Sequence, residues 1–173
     1  MAAIKKLFFI ILLFSTTCSR ALELDGLHRY SIGFVDPKSV IEYKEAASSR
    51  DGVDMRLITD KSDVVMVGHY PPEGASPPAI VSVFKACAPE KLFVIVSWSA
   101  DIPALNTGGS IYEVFAYDPQ IININGVKSL HSNDSLARKF GVGFDGLREG
   151  RKMTYKYRKA GVAKQQLNKW GCR

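Results

Sequence analysis

The sequence has few of the patterns that mark an enzyme. Its three histidines, His28, His69 and His131, have no other histidine, cysteine or clustered carboxylates at the three- or four-residue spacing of a helical metal site. The G-x-S-x-G pattern of serine hydrolases is missing, and no histidine stands near Ser97 or Ser99 to activate a hydroxyl. The sequence therefore predicts no metal site and no cofactor, and it favours a protein that is not an enzyme.

Long apolar runs are also missing. The longest, Leu7–Phe14, has eight residues and follows two lysines, whereas a membrane-spanning helix needs about 20. This layout, with mostly small residues up to Ala21, is typical of a secretory signal peptide. We expect removal of residues 1–21, with lipid attachment at Cys18 as the alternative processing. The protein is expected to be exported, periplasmic or secreted, with a bacterial source favoured, and not to span a membrane.

Cysteine is scarce, since cleavage after Ala21 leaves only Cys87 and Cys172. In an oxidising compartment an even pair predicts a disulfide bond. Closing so long a loop would stabilise the fold by roughly 4 kcal/mol. The alternative, a nucleophilic Cys87, has no nearby histidine to support it.

Periodicity and turn residues divide residues 22–173 into the elements of a single α+β domain. A first helix is predicted to begin at Asp36-Pro37 and end at Asp51-Gly52. Leu92–Val96 is apolar at every position, which predicts a central strand covered on both faces. Short connections, such as turns at Asp118-Pro119 and Asn125-Gly126, favour a mainly antiparallel meander with helices packed on one side. Further helices are predicted over 134–140 and 161–170, and strands over 53–59, 63–70, 79–87, 91–99, 110–118, 120–125 and 151–159.

Residues 141–146, GVGFDG, match the G-x-G-x-x-G fingerprint of dinucleotide sites. That fingerprint requires a strand before the glycines and a helix after them. Here a predicted helix precedes Gly141, and a glycine-broken segment follows Gly146. We therefore interpret these glycines as turn residues and do not expect nucleotide binding.

The segment from Trp98 to Tyr112 is the first candidate binding region. It is predicted to hold a loop of about ten residues between two strands, and long loops on rigid strands often carry recognition. The candidate contact residues are Trp98, Asp101, Asn106, Thr107 and Tyr112.

The second candidate region is basic. Residues 148–173 contain nine Lys and Arg and one acid, whereas residues 22–147 contain 11 basic and 16 acidic residues. In the predicted strand 151–159, alternation would put Lys152, Lys156 and Arg158 on one face. Such a face fits an acidic partner, although lysines also guard the edges of sheets.

Together these features favour an exported, non-catalytic binding protein, such as an inhibitor or immunity-type partner of another secreted or envelope protein. Two other classes stay open: a small envelope hydrolase whose catalytic residues are scattered in sequence, and a module that binds an anionic glycan or lipid surface. Nucleic acid is not expected as a partner of an exported protein.

Overall fold

The structure, a computed structural model, describes residues 26–172, and its ten strands belong to one sheet. The strands are β1 (Leu27–Ser31), β2 (Val40–Lys44), β3 (Val53–Ile58), β4 (Val64–Tyr70), β5 (Pro78–Ala86), β6 (Lys91–Ile102), β7 (Thr107–Ile124), β8 (Val127–Ser132), β9 (Gly143–Arg148) and β10 (Arg151–Met153). The helices are α1 (Asp134–Arg138) and α2 (Ala160–Lys169), and a 3-10 turn spans Pro103–Leu105.

The sheet has two antiparallel halves that meet at one parallel pair. Its order is β1-β2-β3-β4-β8-β7-β6-β5, in which β4 and β8 run parallel and all the other neighbours antiparallel. Strand β9 pairs with β7 on the edge that β8 leaves free, and β10 pairs with β9. The sheet curls into a half-barrel.

The main core fills the inside of this curl. Ile41, Met55 and Leu57 from the first half are fully buried, and they belong to the same cluster as Leu92 and Val94 from the second half. Sheet therefore packs on sheet, as in other layered β structures.

Two tyrosines of this inner core, Tyr70 and Tyr117, contact each other through their polar groups. The hydroxyl groups of Tyr70 and Tyr117 lie 3.1 Å apart and form a hydrogen bond. Burial raises the pKa of Tyr70, and it raises the pKa of Tyr117 to about 12, so both phenols stay neutral at ordinary pH.

A second core lies on the outer side of β5, β6 and β7. There α2 buries Ala163 and Leu167 completely against a cluster that includes Phe93 and Ile95. Strand β6 is thus covered on both faces, which confirms the prediction made from its apolar run at 92–96.

The predicted α+β class is wrong, because the described chain is mostly sheet and has one helix of substantial length. The predicted first helix is strand β2: Ile41 and Tyr43 alternate inward while Glu42 and Lys44 point the other way. Pairing with β1 and β3 on both sides decides this conformation. The capping signal at Asp36 serves a tight turn instead, in which its Oδ1 accepts from the backbone N–H of Lys38 at 3.0 Å.

The predicted meander with helices on one side is also wrong. The parallel β4–β8 pair interrupts it, and the main core is sheet on sheet rather than helix on sheet. The predicted turn at Asp118-Pro119 is a bulge inside the continuous strand β7, and the predicted strand 151–159 ends at Met153.

Local signals nearer the C-terminus are confirmed. Cys87 and Cys172 form a disulfide with Cα atoms 4.7 Å apart. Asn125 and Gly126, both with positive φ, make the tight turn between β7 and β8. Helix α2 ends at Lys169, and Gly171 (φ +81°) follows in the left-handed conformation, after which the N–H of Cys172 donates to the carbonyl of Leu167 at 3.0 Å. The expected signal peptide lies outside the described residues.

Candidate functional site

The first candidate binding region is a hairpin rather than a long loop. Strand β6 continues to Ile102 and β7 begins at Thr107, so only the 3-10 turn and Asn106 separate them. Trp98 is buried, and its Nε1 donates to the carbonyl of Pro71 at 2.9 Å. Its indole thereby attaches the proline-rich loop between β4 and β5, residues 71–77, to the core, while Asp101 and Asn106 are exposed.

The glycines of GVGFDG lie mostly in strand β9, not in a phosphate-binding loop. Gly146 pairs with Gly109 of β7, and its φ is +139°. A Cβ atom on Gly146 would stand 2.4 Å from the carbonyl oxygen of Gly108. Glycine is therefore required here because β7 and β9 approach closely. Helix α1 precedes these residues and a hairpin follows, so the strand–loop–helix context of the fingerprint is missing from this segment.

Strand β9 brings the two candidate binding regions together. The backbone N–H of Gly150 donates to the carbonyl of Asn106 at 3.0 Å, and that of Glu149 donates to Oγ1 of Thr107 at 3.0 Å. These two hydrogen bonds connect the tip of the β9–β10 hairpin to the tip of the β6–β7 hairpin. We call residues 99–111 and 143–153 the hairpin platform.

The platform exposes large apolar side chains that the sequence analysis did not select. Ile102 is 47% exposed, Leu105 55%, Leu147 38% and Met153 43%. Strand register puts Ile102 and Met153 on one face of the platform and Leu147 on the opposite face. Exposed apolar groups that share a face often mark an interaction site. Two closely spaced glycine sets, at 108–109 and 143–146, were the sequence signal for the pairing of β7 with β9.

The platform also carries exposed charges of both signs, namely the acidic residues Asp101 and Glu149 and three basic residues. Arg148, Arg151 and Lys152 are exposed, and none forms an ion pair within residues 26–172. By contrast, several cations on the rest of the sheet are paired, as in Lys38–Asp60, Lys85–Glu90 and Lys128–Asp63.

The other predicted residues of the basic segment lie elsewhere. Arg158 is paired with Asp145, and Lys156 lies over the ring of Tyr157 with its Nζ 4.6 Å from the ring centroid. Tyr112, a candidate residue of the first binding region, stacks on Tyr155 of this segment, with ring centroids 6.0 Å apart. Of the three basic residues predicted to share one strand face, only Lys152 belongs to the platform.

A groove of about 500 Å³ runs beside the platform, between the proline-rich loop and β6. Its lining includes Pro77, Ala100, Ile102 and Ile111, with the carboxylates of Glu73 and Asp101. Strand register aligns Ala100 with Gly109, Gly146 and Met153 across four strands, and the two glycines in the middle of this row allow β7 and β9 to approach closely.

Glu113 is a half-buried carboxylate in the gap where β8 and β9 leave the edge of β7. It lines a cavity of about 300 Å³ with Asp134 and Arg138 of α1. Burial, and secondarily the negative charge of Glu73, raises the pKa of this carboxyl group. The cavity has no nucleophile or histidine among its lining residues, which are Glu113, Phe115, Asp134, Ala137, Arg138, Gly141 and Val142.

Within residues 26–172, no helix has the length and apolarity to cross a membrane. The same range contains no group of three or more histidine, cysteine or acidic residues arranged to hold a metal ion. Comparisons with protein-family models, with curated proteins and with solved structures give no match to the chain.

Proposed function

We propose that this chain is an exported, non-catalytic binding protein that receives an acidic protein partner on the hairpin platform. The observation that supports this proposal is the exposure of Ile102 and Met153 on the same face of the platform as Arg148 and Arg151. Apolar anchors with arginine at their border are typical of the centres of protein interfaces. The cations would steer the encounter, and the apolar groups would hold the complex.

The rigidity of the platform favours a preformed site. Four strands, the glycine contacts of β7 with β9 and the two hydrogen bonds between the tips fix its shape. Little ordering entropy would be lost on binding. The disulfide fits an oxidising compartment, where an inhibitor or immunity-type partner of another secreted or envelope protein would act.

A capture experiment with matched variants tests the proposal. The exported protein is immobilised, incubated with the envelope and secreted fractions of its source, and any stoichiometric partner is identified by mass spectrometry. Reversing the platform charges (Arg148→Glu, Arg151→Glu, Lys152→Glu) should slow association about tenfold, and the effect should shrink in high salt. Leu105→Ala with Met153→Ala should mainly speed dissociation.

The control reverses three exposed cations at the other end of the sheet (Lys44→Glu, Arg50→Glu, Lys61→Glu). All variants should keep their unfolding temperature, since exposed charges contribute little to stability. Equal binding by the platform and control variants would exclude the platform, and failure to retain any stoichiometric protein would exclude the partner class.

A further inference from the structure

A separate set of five lysines surrounds helix α2. Lys139 follows α1, Lys156 and Lys159 precede α2, and Lys164 and Lys169 belong to α2. All five are exposed, and none forms an ion pair within residues 26–172. Residues 150–173 contain no aspartate or glutamate. We call these five residues the lysine surface.

Aromatic rings, rather than carboxylates, support three of these lysines. The Nζ atoms of Lys139 and Lys164 lie 6.0 Å and 5.5 Å from the ring centroids of Trp170 and Phe84, and Lys156 lies over Tyr157 as described above. A ring attracts an ammonium group without cancelling its charge or occupying all its N–H donors. The lysines are therefore positioned but remain available to an anion.

Lys159 lowers the stability of the N-terminus of α2, and a bound anion would restore that stability. It occupies the N-cap of α2 in an extended conformation (φ −130°, ψ 135°) and makes no side-chain capping hydrogen bond. A cation at this end opposes the helix dipole, and α2 has no acidic residue in its first turn to offset it. The stability lost at this position is consistent with a surface selected for binding.

The rest of the α2 surface indicates which kind of anion fits. Gln165 and Asn168 are exposed beside the lysines, whereas Val162, at 37%, is the one large apolar side chain of α2 among the exposed hydrophobic residues described. The buried centre of a protein interface is more apolar than this surface, and an amphipathic helix that enters a membrane has a larger apolar face. Amides beside cations suit a hydrophilic chain that carries both hydroxyl and acidic groups.

We propose that the lysine surface binds an anionic polysaccharide. The lysines contact its acidic groups, and the exposed amides of Gln165 and Asn168 hydrogen-bond its hydroxyl groups. This site uses none of the platform residues, so it does not rest on the function proposed above.

Titration calorimetry with dextran sulfate, and with uncharged dextran as the matched polymer, tests this proposal. The protein should bind only the sulfated polymer, and Lys156→Gln with Lys164→Gln and Lys169→Gln should weaken binding about tenfold. The platform triple Arg148→Gln, Arg151→Gln, Lys152→Gln removes the same charge and should weaken it less than twofold. Equal losses in the two triples would overturn the proposal, because net charge alone would then explain binding.

A second arm separates a polysaccharide from other polyanions. Gln165→Ala with Asn168→Ala should weaken dextran sulfate binding about threefold and leave binding of inorganic polyphosphate, which has no sugar hydroxyls, unchanged. No effect on dextran sulfate, or equally tight binding to vesicles of anionic lipid, would overturn the assignment. Partner capture by the platform is measured separately, so either proposal can fail alone.

Discussion

At the residue scale, Glu113 is a carboxylate held where its charge is unfavourable. Its pKa is raised in the folded chain, chiefly by burial and then by Glu73. A carboxyl group whose pKa is raised on folding stabilises the folded state when it is protonated. This contribution is complete below the ordinary carboxyl pKa of about 4.3, and it is lost as the pH rises through the pKa of the folded state. Glu113→Gln should therefore stabilise the protein at pH 7, by less than about 1 kcal/mol because the group is partly solvated.

Urea unfolding of both proteins at neutral pH and below the ordinary carboxyl pKa measures this difference. The gain should vanish at the acidic pH, where the native carboxyl is protonated in both states. Glu73→Gln, which removes the neighbouring charge alone, should give a smaller gain at pH 7. A gain that is equal at the two pH values would contradict the electrostatic explanation.

At the element scale, α2 is a well-terminated helix with a poor start. Gly171 ends it in the left-handed conformation, whereas Lys159 supplies no cap although its backbone has the extended conformation that capping residues adopt. Lys159→Asp would provide an acceptor for the free N–H groups and a charge that suits the helix dipole. We expect a gain of about 1 kcal/mol in unfolding free energy.

Chemical denaturation compares this variant with two controls. Lys159→Asn should keep most of the gain because it caps without the charge, whereas Lys156→Asp, which makes the same charge change outside the helix, should give none. If Lys156→Asp stabilises as much as Lys159→Asp, relief of charge repulsion rather than capping is the cause.

At the scale of the whole molecule, the disulfide ties the end of α2 to the turn between β5 and β6. It joins positions 85 residues apart, Cys87 and Cys172. In the chain-entropy model a loop of this length contributes about 4 kcal/mol by restricting the unfolded chain. Cys87→Ser with Cys172→Ser should lower the unfolding free energy by about that amount.

Reduced native protein should unfold at the same denaturant concentration as the double variant. A thiol assay on the unreduced, denatured protein should detect no free thiol, provided that Cys18 is removed with the signal peptide. A loss below about 1 kcal/mol would contradict the entropic role of the bond.

Some of this organisation was predictable from local sequence. The continuous apolar run at 92–96 gave a doubly covered strand, because only a strand buried on both faces needs every side chain apolar. Asn125-Gly126 and Gly171 each gave a turn or helix end, because few residues tolerate positive φ. The pairing of Cys87 with Cys172 followed from their number and the expected compartment.

The candidate site depended on contacts that local pattern does not contain. Strand β9 was interpreted as turns, because the glycines that permit turns also permit two backbones to approach, and Gly108 and Gly109 lie more than 30 residues before Gly146. The residues of β2 fit both a helical pattern and an alternating pattern of apolar positions. Only their pairing with β1 and β3 selects the strand. The sequence determined the strand-rich centre, the turn at Asn125-Gly126, the end of α2 near Gly171 and the disulfide. Only tertiary pairing joined the two hairpin tips into one platform, since hydrogen bonds between distant strands depend on the whole fold.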